Sequence, residues 1–164
     1  VPLYGTAGDD VFVGTNGPDV IETLSSAGAV EGGVDRICSL GGIDQVSIVG
    51  PGSKADTGSD SDLLSVFSGA WGTAGSGDDA LVTARRAGAY VSGGSGADIV
   101  DVYEDATGDG GSGKDDVDAN GDNATLLGGS GSDRLDDNGF AGVTLDCGSF
   151  RDVYVADNPG TVVL

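Results

Sequence analysis

The sequence predicts an all-β protein, a solenoid of stacked parallel strands with two short strands and two turns to each coil, forming one domain over residues 1–164. Three observations predict it. A nine-residue pattern recurs in tandem: two small residues, any residue, Gly, any residue, Asp, any residue, an apolar residue, any residue. The aspartates of that pattern, Asp44, Asp62, Asp79, Asp98, Asp115, Asp133 and Asp152, lie about 18 residues apart, the length of two patterns and one coil. No stretch sustains a 3.6-residue apolar period, whereas apolar and polar residues alternate over about three residues at a time.

The N-terminal coils, residues 1–50, carry degraded copies. "GTAGDDVFV" (Gly5–Val13) is loose, and "TLSSAGAV" (Thr23–Val30) has no aspartate and interrupts the row between Asp10 and Asp44. "VEGGVDRIC" and "SLGGIDQVS" follow directly from Val30 to Ser47. Residues 51–136 hold the regular repeats: "TGSDSDLLS" with Asp60 in a Gly position, "AGSGDDALV", "GGSGADIVDV", "GGSGKDDVD" and "GGSGSDRLD". Residues 137–164 form capping coils, where "CGSFRDVYV" puts Phe150 in a turn-Gly position and Arg151 beside Asp152. About eight to nine coils result.

Each coil should bury the apolar residue two positions after its aspartate. Val46, Leu64, Leu81, Val100, Val117, Leu135 and Tyr154 then form one inward row, with Val91, Leu126 and Leu145 opposite. The half-coils between the strong copies read "TARRAGAYV", "NGDNATLL" and "NGFAGVTL", so one edge of the solenoid is rich in aspartate and the other is not. Asp101, Asp118 and Asp136 point outward in phase, a solvated acidic face, with Arg134 beside Asp116 to relieve repulsion.

The copies between Gly93 and Asp136 resemble the repeats-in-toxin (RTX, hemolysin-type) nonapeptide GGxGxDxUx, and the resemblance extends over nearly the whole chain. It implies a right-handed parallel β-roll with calcium between successive turns. Calcium takes six to eight hard oxygens in adaptable geometry, and glycine lets several backbone carbonyls converge on one point. Carried onto this chain, the resemblance implies about five to six ions. They sit between the pairs Asp44/Asp62, Asp62/Asp79, Asp79/Asp98, Asp98/Asp115, Asp115/Asp133 and Asp133/Asp152, with the turn glycines Gly94, Gly96, Gly111, Gly113, Gly129 and Gly131. Asp19 and Asp35 would form one further site on the opposite edge.

Composition narrows the function. With 27 Asp+Glu against 7 Lys+Arg, a net charge of −20 excludes nucleic acid as a partner. A chain this acidic and glycine-rich repels itself, so cation binding would become folding energy. No run of about 20 apolar residues spans a membrane. The absence of His removes the commonest general base, and no enzyme activity is expected. "GGSGK" (Gly110–Lys114) lacks the Ser/Thr and helix of a phosphate loop. Trp71, Arg85 and Arg86 are candidates for a ligand face, though a lone Trp suits core or end cover better.

The expected function is an extracellular calcium-binding repeat module of a bacterial secreted protein, folded by calcium and acting as a stabiliser or spacer. The alternatives are an ice- or carbohydrate-binding adhesin segment and an accessory domain of a secreted enzyme. Thr107, Thr125 and Thr144 form one outward rank, but Asp109, Leu127 and Asp146 stand where a second Thr rank would be. Val1 is not an initiating residue and "ADNPGTVVL" is short for a C-terminal secretion segment, so an N-terminal export signal or excision from a longer chain is expected. Cys38 and Cys147 are about six coils apart, nearly 30 Å along a continuous solenoid, too far for a disulfide.

Overall fold

The computed structural model describes residues 2–23 and 33–164. Two parallel sheets of nine strands each face one another, and no helix is present among the described residues. The chain alternates between them. The first sheet contains Leu3–Tyr4, Val20–Glu22, Gln45–Ile48, Leu63–Phe67, Leu81–Arg85, Ile99–Val102, Asp116–Ala119, Arg134–Asp136 and Val153–Val155, each hydrogen-bonded to the next. The second contains Val11–Val13, Arg36–Cys38, Lys54–Asp56, Trp71–Thr73, Tyr90–Gly96, Thr107–Gly113, Thr125–Gly131, Thr144–Asp146 and Val162–Val163, stacked in the same direction. The result is a parallel β-solenoid, as the repeat requires.

Strand length departs from expectation in the best-matched copies. Tyr90–Gly96, Thr107–Gly113 and Thr125–Gly131 each run seven residues, because pairing continues through the glycine turn. Gly94 pairs with Gly111, and Gly111 with Gly129, in the same ladder as the strand residues before them. The turns are stacked parallel structure in their own right.

The core is a thin double row. Ile21, Val46, Leu64, Val82, Val100, Val117 and Leu135 stack in register down the first sheet and are all buried. Val82 replaces the expected Leu81, which pairs with Leu63 on the outer face. Asp79 is in phase with its neighbours, so one additional residue lies between it and the strand, and the inward position moves one place along. Tyr154 does pair with Leu135 but is 53% exposed, because no coil among the described residues covers it. In the second sheet Val91, Leu126 and Leu145 are buried as expected.

Volume alternates between the sheets. A Cβ at Gly72 would lie 2.7 Å from Val66 Cγ2, and one at Gly108 would lie 2.4 Å from Val102 Cγ2. In the intervening coils the small residue belongs to the first sheet (Ala84, Ala119) and the large one to the second (Val91, Leu126). Interiors at crystal-like density admit such exchange only when total volume is held.

This alternation makes a prediction. Gly108→Leu alone overfills its coil and should destabilise by about 1–3 kcal/mol. Adding Val102→Ala recreates the Ala119/Leu126 combination and should recover most of the loss. Urea denaturation of the two singles and the double gives the coupling, and strict additivity would show that the two side chains do not share one space.

Candidate metal centre

Before each strand of the first sheet the chain makes a turn whose sixth residue is aspartate, as in Gly93–Asp98, Gly110–Asp115 and Gly128–Asp133. The second turn residue adopts positive φ, 102° at Gly94, 100° at Gly111 and 91° at Gly129. A Cβ on Gly111 would lie 2.3 Å from the carbonyl oxygen of Gly94 in the coil beneath. The fourth residue does likewise, with φ 145° at Gly96 and 143° at Gly113 and Gly131. L-residues rarely hold such values, yet Leu40, Asp60 and Phe150 do so at corresponding positions, with φ of 78°, 84° and 89°. The first residue is small for a different reason: a Cβ at Gly93 would lie 2.4 Å from Asp98 Oδ2. The turn glycines thus make room both for the next turn and for the carboxylate.

The aspartates form a continuous ladder. The backbone N–H of Asp19 donates to Asp44 Oδ1 at 2.8 Å, Asp44 to Asp62 at 2.8 Å, and Asp62 to Asp79 at 2.8 Å. Asp79 donates to Asp98 at 2.9 Å, then Asp98 to Asp115, Asp115 to Asp133 and Asp133 to Asp152 at 3.0 Å each. Asp44, Asp62, Asp79, Asp98, Asp115 and Asp133 are at most 3% exposed. One carboxylate oxygen of each is therefore used between coils. The other, Oδ2, is buried in all six with no hydrogen-bond partner.

Asp19 and Asp35 do not share a site. Asp35, half a coil before Asp44, lies on the opposite edge as expected, but Asp19 donates to Asp44 across 25 residues and heads the ladder. On the opposite edge the N–H of Asp10 donates to Asp35 Oδ1 at 3.0 Å, which gives Asp10 the in-phase neighbour it was expected to lack. Asp35 in turn donates its N–H to Ser53 Oγ. Beyond Ser53 the position before each strand of the second sheet is Ala70, Ala89, Ala106, Ala124 or Val143, all buried, until Thr161 precedes the last. That edge holds no carboxylate ladder past the first coils. The "TLSSAGAV" stretch lies outside the described residues apart from Thr23. Asp152, at the irregular last turn, still accepts the Asp133 N–H and joins the ladder, but it is only partly buried.

Electrostatics follow from burial. Loss of solvent pushes the carboxyl of Asp79 up to about 7 and those of Asp62 and Asp115 to about 6. It also raises Asp44, Asp98 and Asp133. A column of carboxylates this close resists full ionisation unless something positive faces it. The donor set suits a hard cation: carboxylate oxygens throughout, with the carbonyl of Gly110 near Asp98 Oδ2 around Gly93 and that of Cys147 near Asp133 Oδ2 around Gly128.

A second convergence went unread in the sequence. Ligand oxygens of Asp136, Asp137 and Asp157 lie within 4.8 Å of one another. Asp137 is fully buried, and burial alone would raise it. Donations from the Thr161 hydroxyl and the amides of Gly139, Asp157 and Asn158 outweigh burial and hold its carboxyl below the usual range. Asp136 is bonded by Arg134 and by the Asn138 amide. This cluster is a satisfied turn. Its signal was the "DDNG" stretch, whose first aspartates bond the amides two residues ahead.

The outward acidic row is solvated only in part, because Asp136 is buried against Arg134 and the Asn138 amide. Asp101, Asp118 and Asp136 are in register, and Arg134 bridges Asp116 at 2.7 Å and Asp118 at 3.0 Å. Thr107, Thr125 and Thr144 form one rank. Trp71 is neither core nor end cover: it is 41% exposed on the outer face of the second sheet, stacked on Tyr90 with centroids 5.9 Å apart. Arg85 belongs to the first sheet, so these groups do not make one face. Lys114 is exposed in a turn followed by a strand, with no helix to cradle phosphate. Cys38 and Cys147 are unpaired. Comparison with protein-family models, curated proteins and solved structures finds no match to this chain.

The raised carboxyls fix a pH dependence without any cation. Their folded values lie above the ordinary 3.8, so between about pH 4 and pH 7 the folded ladder binds more protons than the unfolded chain. Stability should therefore fall as pH rises through that window. In excess chelator the chain should show more β signal in circular dichroism at pH 5 than at pH 8. Asp79→Asn should reduce that difference and strengthen the signal at pH 8. More structure at pH 8 than at pH 5 would mean the ladder is not buried as described.

Proposed function

We propose that the aspartate ladder is a calcium-binding column and that the protein is an RTX-type β-roll, folded by calcium outside the cell and serving as a stabilising or spacing module. The observation that carries this reading is the set of six buried, unpartnered Oδ2 atoms, one in each of six successive coils. Six buried carboxylates with one oxygen each left without a donor are costly. A divalent cation between neighbouring coils supplies positive charge and accepts oxygens from both, and calcium fits because its coordination shell is large and irregular.

Asp44, Asp62, Asp79, Asp98, Asp115 and Asp133 would hold the ions, with Asp19 and Asp152 completing the ends of the column. Calcium would supply counter-charge and inter-coil ligation in place of the hydrophobic energy that a thin core lacks. Its binding free energy would appear as folding free energy. The low free calcium of cytosol would leave weak sites empty, which suits a bacterial protein that folds after export. A role as spacer or stabiliser needs no cleft or catalytic group. The ice-binding alternative is weakened by the outer face, where the Thr107–Thr125–Thr144 rank is flanked by Asp109, Leu127 and Asp146.

Calcium titration followed by circular dichroism should convert a largely disordered chain into β structure at pH 8. Magnesium at equal concentration should not, because it demands a strict octahedron and gives up water reluctantly. Asp115→Ala removes the shared ligand of two gaps and should lower bound calcium and the folding midpoint more than Asp10→Ala, whose only carboxylate neighbour is Asp35. Calorimetry distinguishes the two. A full β signal in excess chelator at pH 8, or equal calcium loss in both variants, would reject the column.

A further inference from the structure

On the first sheet's side of the solenoid, away from the ladder, a cavity of about 330 Å³ opens among Phe67, Arg85, Arg86, Tyr103 and Phe140. Only seven cations occur in the whole chain against 27 acids, and two of them, adjacent in sequence, meet here. Arg134 spends its charge on three aspartates, whereas no ion pair involves Arg85 or Arg86 among the described residues.

Arg85 is held in place. Its guanidinium carbon lies 4.2 Å from the centroid of the Tyr103 ring, and Nη2 donates to Tyr103 Oη at 3.3 Å. Stacking on an aromatic face and a hydroxyl acceptor fix the planar fork in one orientation. Nε, however, is buried and has no acceptor. A buried N–H without a partner costs free energy, but Nε is out of a ligand's reach, and the terminal guanidinium nitrogens are the ones left to meet it. Arg86, exposed beside it, holds φ at 74°, a conformation that turns the chain at the cavity's edge.

The walls select the rest of the ligand. Phe67 and Phe140 present apolar surface, and the volume is at the lower end of small-molecule sites. Glu104 and Asp122 also line the cavity, and the chain's net charge of −20 adds to their field, so a multiply charged anion such as phosphate is disfavoured. A single carboxylate matches the guanidinium fork and carries the least repulsion.

We propose that this cavity binds a small monocarboxylate with a flat apolar body, an aromatic acid in chemical class, its carboxylate on the guanidinium groups of Arg85 and Arg86 and its body between Phe67 and Phe140. The site lies apart from the aspartate column and does not depend on the calcium reading. Calcium is added in the test only to load the chain, and dispersion of the backbone amide spectrum reports folding independently.

The test is two-dimensional ¹H–¹⁵N spectroscopy of the arginine Nε–H signals in the full chain, titrated with benzoate, benzyl alcohol and inorganic phosphate. The Arg85 signal is assigned by its loss in Arg85→Lys. Benzoate should shift it saturably, and benzyl alcohol and phosphate should each bind at least about tenfold more weakly. Arg85→Lys should keep the dispersed amide spectrum and weaken benzoate binding, followed by the amides of residues 103–104 and 121–122, by about tenfold or more. Arg86→Gln, at an exposed position that does not support the fold, should weaken it by about threefold. No saturable shift, benzyl alcohol or phosphate binding as well as benzoate, or undiminished binding in the variants would overturn the proposal.

Discussion

Everything in this fold is arranged around a column of carboxylates that neutralise nothing. Each ladder aspartate takes the amide N–H of its predecessor on Oδ1, which locks coil to coil, and turns Oδ2 into a buried space without a donor. The hydrogen bond sets the coil phase. No ion pair among the described residues involves a ladder aspartate, so the orphaned oxygens have no cationic side chain to offset them. Ordered stacking and cation demand are two consequences of one contact.

The local geometry of the turns follows from the same contact. The first turn residue is small because the carboxylate lies over it, and the second is glycine in the regular copies because the carbonyl of the coil beneath occupies the space of its Cβ. Where the sequence departs, the backbone does not: Leu40, Asp60 and Phe150 are drawn into left-handed conformations that glycine occupies elsewhere. Tertiary stacking overrides local preference there, at the conformational cost that such residues carry.

The two edges are chemically different although the coil is built from similar halves. From Ala70 to Val143 the position equivalent to the ladder aspartate is Ala or Val, closing the second edge with apolar contact. One edge is thus held by packing and the other by polar stacking. Between them Val66 and Val102 fill the space of a side chain on the facing strand, so Gly72 and Gly108 stand there. A core of this kind contributes little hydrophobic area per residue, which places the burden of stability on whatever faces the column.

The sequence by itself determined the fold class, the alternation of strands and the ladder from Asp44 to Asp133, because a side-chain period of two and a coil period of about 18 leave their phase in the residue order. It set Asp19 beside Asp35 instead of at the head of the ladder, since 25 residues between Asp19 and Asp44 break the spacing of about 18 that fixed the other aspartates. It named Leu81 for an inward position that Val82 holds, because one added residue moves every later side chain to the other face. The satisfied cluster around Asp137 and the cavity beside Arg85 draw residues from coils far apart in sequence. Only the stacking of complete coils brings such residues together, and stacking is a property of three dimensions that no nine-residue pattern contains.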